Sequence, residues 1–232
     1  FERGADAVCV HGAPSGFVRP LEATTLAVGG HAATAAMMLP GAVVGGSEYI
    51  DDYPAELLAS FDTLVLAGFG ARDRDAAEQL VAEFAADGGT VVIDLNGMLV
   101  TAIEEAPSFL GVKGYARIAE DSVSIRPGEQ TVGGAVIPTA LRLPREKRVE
   151  TDETIEDWRY VAYLGLDHSI ADEVDGDGMS LLGTEELDGG GQAIFVGGNL
   201  FYHAFLTGNE AEVTLVRALA DPVTWDHEPR TE

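Results

Sequence analysis

Two continuous apolar runs constrain this chain most. One lies within "DTLVLAGFG" (Asp62–Gly70) and the other is "TVVID" (Thr90–Asp94). A strand with no polar face must be covered on both sides, as a central parallel strand is. Between them, Arg72–Gly89 carries a helical stripe of Ala76, Ala77, Leu80, Val81 and Phe84. Asp73 or Asp75 can cap its start and Gly88 can end it. Two strands joined through a helix pair in parallel, so the spacing predicts a βαβ unit.

The same alternation extends to both sides. Asp6–Gly12 reads as a first strand and its loop, Leu21–Leu39 as a helix weakened at Gly29-Gly30, and Gly41–Ile50 as a second strand. Pro54–Phe61 reads as a short helix with proline in its first turn. From Tyr115 to Leu143 the pattern turns strand-like, with Gly and Pro turns, and Pro144–Asp157 is charged and loop-like. Trp158–Leu166 and Gln192–Gly198 read as strands, and Glu210–Asp221 as a closing helix. The expected fold is therefore α/β, a doubly wound, mainly parallel, flavodoxin-like sheet. It forms a single domain over residues 1–221 with a β-rich insertion at about 113–150, and residues 222–232 are expected to be a loose tail.

Charge bears on function. The chain holds 39 Asp plus Glu against 14 Lys plus Arg, a net −25, and its only lysines are Lys113 and Lys147. The acids are spread along the whole length while 46% of residues remain apolar. That combination points to a protein adapted to molar salt, where the Debye length is only ~3 Å and self-repulsion is screened. It also argues against nucleic-acid binding, because nothing here can neutralise a run of phosphates. Cys9 is the only cysteine, so neither an intrachain disulfide nor a cysteine-based zinc site can form. The chain opens on Phe1, which suggests a processed chain or part of a longer one with flanking membrane or partner domains; no signal peptide is visible. Residues 23–47 lack any charge, but they are rich in Ala, Gly and Thr and are interrupted by Pro40. They read as a helix and a strand, not a membrane span.

The runs Phe61–Asp94 and Gly189–Leu219 resemble the class I glutamine amidotransferase-like superfamily. The members most similar are non-catalytic or hydrolase-associated ones, such as the trimerization domain of some β-galactosidases. That resemblance implies a flavodoxin-like architecture, and it makes a homo-oligomer an expectation. Active members place a Gly-x-Cys-x-Gly elbow after the strand that aligns with Thr90–Asp94, and a His and a Glu after a later strand. Here the elbow reads Ile93-Asp94-Leu95-Asn96-Gly97, with Leu95 at the nucleophile position. Leucine has no nucleophilic atom, so no covalent acyl intermediate can form there. The later strand runs into Val196-Gly197-Gly198-Asn199, with His203 four residues beyond Asn199.

Loops at the carboxyl ends of parallel strands gather at the ligand crevice. A candidate crevice draws on His11, Ser15, Phe69, Arg72, Asp94, Asn96, Asn199 and His203. Cys9 and His11 share one strand face, which suits core packing better than a nucleophile–base pair. Glu173, Asp175, Asp177 and Gly178 imitate the start of an EF-hand loop, but position twelve is Thr184, with Glu185 one place late. A turn is the expected reading, and no metal is expected. Neither a dinucleotide fingerprint nor a phosphate-binding G-x-x-x-x-G-K-[ST] loop occurs, so no cofactor is expected. The leading expectation is a non-catalytic interaction or ligand-sensing domain. The alternatives are a hydrolase or transferase rebuilt around His11, Asp94 and His203, and a carbohydrate- or metabolite-binding module using the same crevice.

Overall fold

The computed structural model describes residues 9–10, 24–95, 108–118, 122–142, 148–150, 153–155, 159–174 and 178–221. Six strands pair in parallel: β1 (Cys9–Val10), β3 (Ala42–Gly45), β2 (Thr25–Val28), β4 (Thr63–Ala67), β5 (Thr90–Asp94) and β15 (Gln192–Val196), in that spatial order. Beyond β15 the sheet turns antiparallel, through β14 (Ser180–Glu186), β12 (Arg159–Leu164), β7 (Val112–Ile118) and β6 (Ser108–Phe109). A branch adds β13 (His168–Glu173) on β14, then β8 (Ser122–Pro127) and β9 (Ala140–Arg142), all antiparallel.

The doubly wound, mainly parallel expectation is therefore corrected. The sheet is mixed and strongly curled, and the fold is β-rich, with strand residues outnumbering helical ones among those described. The cause is legible in the connections. Between residues 108 and 186 the described strands succeed one another with no helix among them. Short turns between successive strands give antiparallel pairs, whereas a parallel pair needs a long crossover.

Local expectations also shift. Thr25–Val28 is a buried strand, not the first half of a helix; only α1 (Ala32–Ala36) is helical there. Gly29 separates the two at φ 119°, and a Cβ on it would lie 2.2 Å from the Ala67 carbonyl. Only glycine allows that approach, so helix cannot run through it. Within the charged segment expected to be a loop, β10 (Arg148–Glu150) and β11 (Glu153–Ile155) pair as a separate two-stranded sheet. The expected tail, 222–232, lies outside the described residues.

Helices cover the parallel strands on two faces. α3 (Arg74–Ala86) buries Ala77, Val81, Phe84 and Ala85 against Leu64, Leu66, Val91 and Ile93. The Asp73 side chain caps it by accepting from the Ala76 amide at 3.1 Å. The short α2 (Ala55–Leu58) packs beside it. On the opposite face α1, α4 (Leu200–Thr207) and α5 (Glu210–Ala220) cover Ala27, Val65, Val92 and Ile194. Asn209 caps α5 by accepting from the Ala211 amide at 3.0 Å, and the Thr63 hydroxyl donates to the Ala220 carbonyl at 3.0 Å to fasten its far end. No described helix is long and apolar enough to cross a membrane.

Candidate functional site

The end of β5 is tied down from the antiparallel half of the sheet. Tyr163, fully buried on β12, donates its hydroxyl to the Val196 carbonyl at 2.6 Å. The same oxygen accepts from the Leu95 amide at 3.3 Å. One phenol thus ties the end of β5 to the end of β15. Burial pushes its pKa well above 10, and the nearby Asp94 charge adds to the rise. Leu95 itself is fully buried in the core beside Phe195 and Tyr163. Asp94 is 3% exposed at the end of β5.

The turn after β15 is equally tight. The Gly197 amide donates to Leu181 O at 2.6 Å and the Gly198 amide to Val161 O at 3.0 Å. A Cβ on Gly197 would sit 2.2 Å from Val161 O. Asn199 follows in the left-handed region at φ 53° and starts α4, buried.

The remaining candidates have structural partners. Phe69 is buried and meets Phe109 edge to face, with ring centroids 5.0 Å apart. Arg72 is exposed and forms a forked ion pair with Asp52, at 2.7 and 3.1 Å, while its guanidinium lies 4.1 Å over the Tyr49 ring. Its cation is engaged from both sides. Arg72 and the Ser47 hydroxyl hold the Asp52 carboxyl below its usual pKa. Asp51 accepts from the backbone amides of Arg72 and Asp73 at 3.0 and 2.7 Å, just ahead of α3. An amide pair there suits an anion, and the chain's own carboxylate takes that place. His11, Ser15 and Asn96 lie outside the described residues.

His203 was singled out for its type, but its partner was not foreseen. Its Nδ1 lies 2.5 Å from Glu212 Oε2, and the two side chains are 4% and 2% exposed. Its Nε2 is buried without a hydrogen-bond partner. The pair bolts α4 to α5. The hydrogen bond of the ring is to Glu212. Glu212 was hidden because, three residues into a helix, an acid normally reads as a favourable first-turn charge.

No three of His, Cys, Asp or Glu gather to hold a metal ion among the described residues. Of the EF-hand-like segment, Asp175 and Asp177 lie outside those residues, and Glu173 is buried at the end of β13. A cleft of about 620 Å³ opens at the opposite, amino-terminal edge of β4 and β5. Leu58, Phe61, Leu80 and Phe84 line it with Glu83 and Asp87, and none of the expected crevice residues among those described do.

The class defined by these features is a curled, β-rich, mixed-sheet fold. The chain belongs to the family DUF8560, a domain of unknown function, which it matches over residues 24–203. No curated protein matches it.

Proposed function

We infer that this chain is a non-catalytic interaction or ligand-sensing module of a larger protein from a high-salt organism. It is a relative of the glutamine amidotransferase-like superfamily in which the elbow has become structural. One observation supports the reading: Leu95, which the resemblance sets at the nucleophile position, is fully buried, and the Tyr163 phenol accepts from its amide. A catalytic elbow needs a reactive side chain at that position, and leucine has none. Tyr163 further ties the Leu95 amide into the core. The acidic, lysine-poor composition supports the high-salt assignment.

The test is turnover by the purified chain in molar potassium chloride, with ester, amide and glutamine substrates. The reading expects rates indistinguishable from buffer, unchanged by Asp94→Asn or His203→Gln. Turnover abolished by either substitution, in a variant that circular dichroism shows to be folded, would establish the rebuilt hydrolase or transferase instead.

A further inference from the structure

We propose that the surface built by α1, α4 and the 130–140 segment is a self-association face, which docks the same face of a second copy of this chain. The proposal rests on the interaction-module reading and specifies its partner.

The first observation is where charge is missing. The two longest stretches without Asp, Glu, Lys or Arg are 23–47 and 189–209, and 130–141 is a further uncharged stretch. They are far apart in sequence, yet the fold brings them together. α1 from the first packs against α4 from the second. The third lays Ala135 and Ile137 on the same core cluster, and Ile137 and Pro138 share a small apolar void with Leu200 of α4. In a chain of net −25 with acids spread along its length, one region of the fold is assembled from uncharged sequence.

The second observation is what that region exposes. Six large hydrophobic residues are exposed among those described: Met37, Tyr115, Val136, Val174, Phe205 and Leu206. Four of them, Met37, Val136, Phe205 and Leu206, belong to the three uncharged stretches. Exposed apolar side chains concentrated on one region mark an interaction site. Beneath it, the His203–Glu212 pair fixes the helix that carries Phe205 and Leu206.

Charge selects the occupant. Two bodies of net −25 repel wherever carboxylates face each other at close range, and molar salt screens only what lies beyond ~3 Å. Close approach between copies is therefore easiest through the face assembled from uncharged sequence, at whose edge Arg217 of α5 donates to the Met38 carbonyl at 2.9 Å. An apolar face is also complementary to itself, as a two-fold interface requires. A cationic partner gains nothing from this face and would choose the acidic remainder of the surface.

The experiment is sedimentation equilibrium in molar potassium chloride over a range of protein concentrations. Wild type, the double variant Phe205→Asp/Leu206→Asp and Val174→Asp are compared, with circular dichroism confirming that each is folded. All three positions are exposed, so folding is not at stake. The expected result is a concentration-dependent dimer whose Kd rises about tenfold or more in the double variant. Val174→Asp, outside the face, leaves it unchanged. A wild type that stays monomeric throughout overturns the proposal. So does association that survives the double variant, which would still leave the interaction-module reading standing. Binding to neutral lipid vesicles that the double variant loses, with no dimer, also overturns it, in favour of a membrane surface. Catalytic turnover as described above would defeat the underlying reading, whatever this face does.

Discussion

Replacing Glu212 by leucine isolates the imidazole of His203 inside the protein. Both side chains are almost wholly buried, and Nδ1 has no other partner than Oε2 at 2.5 Å. Nε2 is already unbonded. After Glu212→Leu neither ring nitrogen is satisfied. Removing one member of a buried pair costs about 3–5 kcal/mol. The unbonded Nε2 carries its penalty of about 1–3 kcal/mol in wild type and single variant alike, so it cancels in their difference and is relieved only when the ring itself is removed. At the lower end of the range for a buried pair the expected loss is about 3 kcal/mol, a large share of a typical stability of about 5–15 kcal/mol. In a chain of this size that lowers Tm by roughly 6–12 °C. The double variant His203→Leu/Glu212→Leu removes both polar groups and the unbonded nitrogen together. Its stability is expected to return to within about 1 kcal/mol of wild type, or to exceed it. Urea titration in molar salt, followed by circular dichroism, reads both values, and His203→Leu completes the cycle. A single-variant loss under about 1 kcal/mol, or a double variant as damaged as the single, would refute the assignment of this pair as a buried structural bolt.

Three further outcomes follow from the strand-end turns and from α3. Tyr163→Phe removes the acceptor for the Leu95 amide and the donor to Val196, and urea titration should show a loss of about 1–3 kcal/mol. In the native state this phenol keeps its proton well above 10, so its contribution is complete below pH 10 and declines as pH rises towards its native value; the variant should lose stability less steeply in that alkaline window. Gly197→Ala places a methyl 2.2 Å from Val161 O, a backbone atom that cannot swing away, and Tm should fall by several degrees where a solvent-facing Gly→Ala change would not. Asp73→Ala removes the cap on α3 and should cost about 1 kcal/mol by the same titration.

How much of this was legible in the sequence depends on the range of the signal. The run from Asp62 to Asp94 shows its strands and helix directly, because each apolar pattern is completed within its own segment. The antiparallel half does not. Strands such as His168–Glu173 and Ser180–Glu186 mix acidic and apolar residues, and their pairing is set by distant partners. The helix expected over Leu21–Leu39 failed because alanine-rich sequence satisfies both patterns, and the deciding contact, Gly29 against Ala67, is tertiary. At the candidate site, the absence of a nucleophilic atom at Leu95 is readable from residue type alone. The contact made by Tyr163 is not, since it joins positions 95, 163 and 196 through a single oxygen. Arg72 looked like a ligand-binding cation because its partner, Asp52, lies on a separate loop and nothing local pairs the two.

The central claim is that Tyr163 locks the end of β5 at Leu95 as a structural contact, and amide hydrogen exchange at Leu95 tests it most directly. The Leu95 N–H is buried against the Tyr163 oxygen, so its exchange should require opening of the core and be as slow as that of the β4 and β5 strand amides. In Tyr163→Phe it should exchange markedly faster while the strand interiors stay protected. Fast exchange at Leu95 in the wild-type protein, with β5 still protected, would mean that the contact opens to solvent on its own, and would contradict the account.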